Sequence, residues 1–433
     1  VVQDEAVVQD EGIVEELRKR AKDALTTLAL AKEETFAARQ LERSRELQNE
    51  GLRGFSSRAR DLLTLGLTSF SSFGPLIAVF SVSFVATYLI LGSDFIHSGD
   101  PEKRAGNNAR VRDSIMAQGM DRKTGDYNDF WASRDYLNQM APMKAALLMA
   151  HGFNDWNVMP EHSYRIYDRA RSMGLDHQIY YHQKGHGGPP PLWMMNQWFS
   201  HYLHGQDNGA ATGPKSWIVR EDKPNNQPTP YADFPNPEAS MVTLYPNPGG
   251  NSSGALTLSP NKTDVTEIIS DDYHISAAEL AMSTESEHRL IYTTPVLKKD
   301  IHLSGTPKVH LNVAASKKAV NLSVYLVALP WVEQKGRPIT DNLITRGWAD
   351  PQNISLRKSH PLIPGEFVAV SFDLMPDDQI IPQGTKIGLM IFSSDSDFTL
   401  RPQPGTRLSV DLDGSYISLP VVGGQAAYDS AIE

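Results

Sequence analysis

The alternation of apolar and polar positions divides the chain into segments of different period. Residues 13–50 contain no Gly or Pro and are rich in Ala, Leu, Glu, Lys and Arg, all strong helix formers. Val14, Leu17, Ala21, Ala24, Leu28, Ala31, Thr35 and Ala38 recur at alternating three- and four-residue steps, until Glu42 breaks the pattern. That spacing predicts a long amphipathic helix with an Ala-rich heptad seam. Residues 62–93 carry no charged side chain, and the apolar centre at 73–91 is long enough to cross a bilayer core. A transmembrane helix is predicted there. It lies too far from the first residue, and lacks the small-residue cleavage site, for a secretory signal.

Beyond residue 94 the pattern changes. Residues 100–143 are polar and read as helical or irregular. Ala145-Ala-Leu-Leu-Met-Ala150 is a short continuous apolar run, as in a strand buried on both faces. Pro160 opens a helix carrying Tyr164, Ile166, Tyr167, Ala170 and Met173, which stops at Gly174. His177-Gln-Ile-Tyr-Tyr-His182 reads as the next strand. A second helix spans Leu192 to His204, with Trp193, Trp198, Phe199, Tyr202 and Leu203 on its apolar side. Residues 205–240, dense in Pro, Asn and Asp, read as a linker or wrapping loop. From 241 to 433, β-rich runs alternate with turn clusters. Lys308-Val-His-Leu-Asn-Val313, Leu322-Ser-Val-Tyr-Leu-Val327, Phe367 to Leu374 and Ile387 to Phe392 are examples, and no helical pattern intervenes. Such spacing predicts an antiparallel β-sandwich.

The expected organisation is therefore a helical segment (1–61), a transmembrane helix (62–93), an α/β part (94–204), a linker (205–240) and a β-sandwich (241–433). A chain of 433 residues is long enough for two or three domains. The first residue is Val rather than Met, as expected of a processed or partial chain. If 73–91 spans a bilayer the protein is membrane-associated, and otherwise cytoplasmic.

Charge and cysteine content narrow the chemistry. A formal net charge of −10 offers no basic excess for nucleic acid. The absence of Cys excludes disulfides, thiolate metal sites and thiol nucleophiles. Seven of the 13 His fall between positions 151 and 204. The pair His182/His186 straddles a Gly-rich turn rather than one helix face, and no acidic residue completes a metalloprotease arrangement. No metal and no cofactor is expected.

Two residues stand where chemistry would be placed. Asp155 follows the first predicted strand, in His151-Gly-Phe-Asn-Asp155-Trp-Asn157. His186 follows the second, in Lys184-Gly-His186-Gly-Gly-Pro189. In open α/β sheets the functional crevice lies beyond the carboxyl ends of the strands. Asp then His is the order in which α/β-hydrolases supply the acid and base of a Ser…Asp…His triad. Equally, Asp155 could cap the helix beginning near Pro160, leaving His186 an ordinary loop residue.

His151-Gly-Phe-Asn-Asp-Trp-Asn-Val-Met-Pro-Glu161 and Gly185-His-Gly-Gly-Pro189 resemble the Asp and His motifs of the Xaa-Pro dipeptidyl-peptidase family. Asp121 to Trp131 and Arg134-Asp-Tyr-Leu-Asn138 are similar to the stretch preceding the Asp strand in that family. The resemblance covers roughly residues 100–433. It implies the C-terminal part of an α/β-hydrolase sheet followed by a jelly roll, and a serine peptidase releasing N-terminal X-Pro dipeptides. It implies Asp155 as triad acid and His186 as general base, with a proline-containing peptide as substrate. Upstream of Asp155 neither Gly-x-Ser-x-Gly nor the family's Gly-Lys-Ser-Tyr occurs, and Gly54-Phe-Ser56-Ser57-Arg58 is the nearest match. Residues 1–98 do not resemble the family. A sheet lacking its upstream strands implies a homo-oligomer or a partner chain completing it. The competing reading is an inactive, membrane-tethered binding or scaffold protein.

Overall fold

A computed structural model describes residues 101–433, apart from 122–123, 222, 261, 263, 332–341 and 401–402. The predicted heptad helix, the predicted transmembrane segment at 73–91 and Ser56 lie outside the described residues. Among the described residues no helix is long and apolar enough to cross a membrane. The chain divides into two units, Val1–Met116 and Ala117–Glu433. Of the first, the described part is an α-helix, Pro101–Asn107, continued by a π-helical stretch, Asn108–Met116.

The second unit begins with a short helix at Ala117–Met120, followed by short helices at Asp129–Ala132 and Tyr136–Gln139, each started by a capping carboxamide or carboxylate from Asn128 or Asp135. A four-stranded sheet follows, ordered β1 (Leu147–Gly152), β2 (His177–His182), β3 (Ser216–Ile218) and β4 (Thr229–Tyr231). The first three strands are parallel and β4 is antiparallel. Helix α1 (Pro160–Ser172) connects β1 to β2. Proline at its first turn costs it no hydrogen bond, and Gly174 (φ 70°) ends it. Helix α2 (Leu192–His204) connects β2 to β3 and ends at Gly205 in the left-handed region.

Three sequence expectations change here. β1 starts at Leu147 and is not buried throughout. It pairs only with β2 among the described strands, and Ala150 is exposed, whereas β2 is buried from Gln178 to His182. The expected linker, 205–240, contains β3 and β4, which extend the sheet. Strands of three residues are too short to show a period within Pro- and Asn-rich sequence. On α2, only Met194 and Trp198 are buried, and Trp193 and Leu203 of the expected apolar side are exposed.

Among the described residues the β-rich part forms a sandwich of twelve strands: β5 (Ala239–Pro246), β6 (Gly254–Thr257), β7 (Thr266–Ser270), β8 (Arg289–Thr293), β9 (Ile301–Gly305), β10 (Lys308–Ala315), β11 (Leu322–Leu329), β12 (Leu343–Ala349), β13 (Phe367–Asp373), β14 (Asp377–Ile381), β15 (Lys386–Phe392) and β16 (Arg407–Val422). One side runs β12-β11-β15-β8 and the other β5-β16-β10-β13, with the short β6 between β8 and β5. All four β-runs named from sequence are strands. Among the described residues two short α-helices, α3 (Ala277–Met282) and α4 (Gly424–Ile432), and a 3-10 turn at Pro351–Asn353 depart from the expected all-β pattern.

Alternation along the strands builds two cores. Leu322, Val324 and Leu326 of β11 face the main core, with Val309, Leu311 and Val313 of β10 and Leu408, Val410 and Leu412 of β16. Tyr325 and Val327, on the other face of β11, join Leu343, Met390 and Phe392 in a second cluster. Trp156, which follows Asp155 in the α/β part, packs against that second cluster.

Candidate active site

β1 and β2 are in register from Leu147↔His177 to Gly152↔His182, so the two strands end level. Asp155 is three residues beyond one end and His186 four beyond the other, which brings both loops to the same edge of the sheet. Backbone bonds continue the pairing past the strands: Phe153 N donates to His182 O at 2.9 Å and Asn154 N to Lys184 O at 3.3 Å. Close approach of the two loops depends on Gly152. A Cβ there would lie 2.1 Å from Lys184 O and 2.7 Å from Gly185 O.

His186 Nδ1 lies 2.8 Å from Asp155 Oδ2. The carboxylate can only accept, so the ring carries its proton on Nδ1 and its lone pair on Nε2. The other carboxylate oxygen is fixed by backbone. Asp155 Oδ1 accepts from Asn157 N at 2.9 Å and Val158 N at 3.0 Å. Asp155 is therefore no helix cap. Met159 occupies the cap position of α1 and makes no side-chain bond there. Burial alone would raise the Asp155 pKa, since only 2 % of the residue is exposed. The two backbone N–H groups and His186 outweigh burial and hold the carboxyl below its ordinary value.

A second histidine, not singled out from sequence, approaches the same carboxylate. His151 Nε2 lies 2.8 Å from Val158 O and 3.2 Å from Asp155 Oδ2, both acceptors, so Nε2 carries the proton. Its Nδ1 then accepts from the Ser163 hydroxyl on α1. Burial lowers the His151 pKa more than Asp155 and Val158 raise it, which keeps the ring neutral. Ser163–His151–Asp155 contains the residue types of a triad, but Ser163 is buried in the first turns of α1. The i, i+4 spacing of His151 and Asp155 is the signal that sequence offered.

His182, weighed with His186 as a metal pair, is buried at the end of β2, and its Nδ1 accepts from Lys184 N at 3.1 Å. Desolvation lowers its pKa. His201 Nδ1 is bonded to Gln206 O. Gly250-Asn251-Ser252-Ser253-Gly254 spells a nucleophile motif downstream of His186. It forms the approach to β6 in the sandwich, and Ser252 Oγ donates to Gly249 O.

A parallel sheet with an acid and a histidine on consecutive strand-end loops defines an α/β-hydrolase-type fold. A profile of the X-Pro dipeptidyl-peptidase C-terminal non-catalytic domain matches residues 208–432, and one of the X-Pro dipeptidyl-peptidase S15 family matches residues 79–188. The chain belongs to the X-Pro dipeptidyl-peptidase family. A Rhodopirellula baltica protein provisionally named an Xaa-Pro dipeptidyl-peptidase is 56% identical over 339 residues, which is 78% of this chain and 54% of the relative. The chain spans about half the length of the curated relatives it matches. Among solved structures, an aminopeptidase from a marine-sediment Thaumarchaeota archaeon superposes with TM-score 0.58 at 15% identity, covering 76% of this chain and 63% of that one. An α-amino acid ester hydrolase does so with TM-score 0.55 at 18% identity, covering 76% and 64%. These two likenesses concern the fold alone.

Proposed function

We propose that the chain carries the acid–base pair of a serine dipeptidyl-peptidase that releases X-Pro dipeptides from peptide N-termini. The observation carrying this reading is the 2.8 Å contact of His186 Nδ1 with a buried Asp155 whose other oxygen is fixed by two backbone N–H groups. Family membership and the name of the Rhodopirellula baltica relative support the substrate class. They favour a peptidase over a tethered binding protein.

In this mechanism a serine hydroxyl attacks the carbonyl carbon of the proline residue, and His186 Nε2 takes the hydroxyl proton. Asp155 holds the ring in the Nδ1–H tautomer and stabilises the imidazolium that forms. His186 returns the proton to the amine nitrogen as the peptide bond breaks. Water then repeats the attack on the acyl-enzyme ester, His186 again taking and returning the proton. On this reading the described part supplies the proton-transfer pair, and active-site labelling is to identify the serine, with Ser56 the first residue to test.

A fluorophosphonate probe followed by peptide mapping tests this. Labelling of one serine, abolished in His186→Ala, is expected. No labelling of the folded chain, or labelling unchanged in His186→Ala, contradicts the reading.

A further inference from the structure

The matched C-terminal domain is described as non-catalytic, yet its side chains reach both loops of the candidate dyad. On the acid side, Trp156 leaves the α/β part and enters the aromatic cluster of the sandwich. The Arg346 guanidinium carbon of β12 sits 3.6 Å from the centre of the Trp156 ring, and the Phe398 ring centre is 5.4 Å from it. Arg346 is itself 4.8 Å above Phe398 and 5.4 Å from Trp348. Asp395 ties the cluster together, accepting from Tyr325 Oη at 2.7 Å and Trp348 Nε1 at 2.9 Å on one oxygen. A desolvated cation is attracted to the indole face, so the backbone carrying Asp155 is gripped one residue away.

On the base side, Gln183 lies three residues before His186. Its Nε2 donates to Asp378 O of β14 at 2.8 Å. Arg220, just past β3, donates to the same carbonyl oxygen at 2.9 Å and to the Asp378 carboxylate. His302 Nε2 of β9 also meets that carboxylate, at 2.8 Å. Asp378 and Arg220 are buried.

We propose that the β-sandwich sets the geometry of the dyad through two clamps, Arg346 on Trp156 behind Asp155 and Asp378 on Gln183 behind His186. Arg346 and Gln183 are thus positioning residues. This rests on Asp155 and His186 being the acid–base pair. The contacts give a domain with no part in bond-making a reason to pack on the strand ends, where they add to the bonds that already join the two loops.

The test reads the hydrogen bond directly. ¹⁵N–¹H long-range spectra of the full chain, labelled at histidine and assigned through His186→Ala, report the His186 tautomer. In the parent protein Nδ1–H dominates. Arg346→Ala and Gln183→Ala are each expected to shift His186 toward the tautomer mixture of a free imidazole, with far-UV circular dichroism unchanged. Arg346→Lys, which keeps a cation on Trp156, restores the parent spectrum more fully than Arg346→Met. Arg346→Met also serves where Arg346→Ala fails to fold, since it keeps the packed stem. Asp155→Asn separates the two claims. If it leaves the His186 tautomer unchanged, the dyad itself is wrong. If it changes the tautomer while folded Arg346→Met and Gln183→Ala retain the parent pattern, the clamps are overturned and the dyad stands.

Discussion

The Asn154 side-chain amide donates to the Gln183 carbonyl oxygen at 3.0 Å. The loop bearing Asp155 is thereby tied directly to the loop bearing His186, independently of the dyad's own contact. Asn154→Ala removes that tie without altering Asp155 or His186. A displacement of about 1 Å costs on the order of 10²-fold in rate. The expected result is a fall in kcat approaching that factor with KM little changed. A change confined to KM would place Asn154 in substrate binding instead.

Gly152 offers a sharper test of loop proximity. A methyl group there meets backbone oxygens of Lys184 and Gly185, which cannot rotate away. Gly152→Ala is expected to cost about 1–3 kcal/mol of stability and to move the His186 loop off Asp155. Denaturant unfolding and the His186 tautomer measured together check this. A fully stable variant with an unchanged spectrum would show that the strand ends are further apart than described.

Acid should destabilise the fold in two stages. His151 and His182 are buried, and burial holds their pKa values below that of an unfolded-chain histidine. The unfolded state therefore binds more protons, and their contribution is complete above about pH 6.5 and declines as pH falls below it. Asp155, also lowered, adds a second loss as pH falls through the carboxylate range, below about 4. Urea midpoints across pH 3–8 should show both, and His151→Gln should flatten the upper stage. A midpoint that rises between pH 7 and 5 would contradict the assignment of neutral, buried rings.

Arg220 and Asp378 form a buried pair joined by His302 and Tyr231. Removing one partner leaves a desolvated charge, at a cost on the order of 3–5 kcal/mol. Arg220→Ala is expected to lose that much in urea unfolding. Asp378→Asn combined with Arg220→Met should recover most of it, because neither charge is then stranded. Loss in the double variant as large as in the single one would mean the site is held by packing alone.

How much of this was readable beforehand follows from range. Asp155 and His186 were legible because each stands a few residues beyond a recognisable strand, and parallel neighbours end at one edge. The sandwich was legible because β10 alternates from Lys308 to Val313 and β11 is a β-rich apolar run set off from its neighbours by polar turns. β3 and β4 were not, since three residues show no period. Nor was the fate of α2, where helical spacing gave an apolar side but not what covers it, and Trp193 remains exposed. The clamps had no local signal: Gln183 and Asp378 are 195 residues apart. His151 stood in view inside the Asp motif, but its role emerges only when Ser163 and Val158 fix its tautomer.

The pairing of Asp155 with His186 as the proton-transfer machinery of an X-Pro dipeptidyl-peptidase is tested most directly by hydrolysis of an Ala-Pro chromogenic anilide by this chain. Turnover is expected, lost in His186→Ala and reduced on the order of 10⁴-fold in Asp155→Asn. Absence of turnover from folded protein, or turnover that survives His186→Ala, would contradict it.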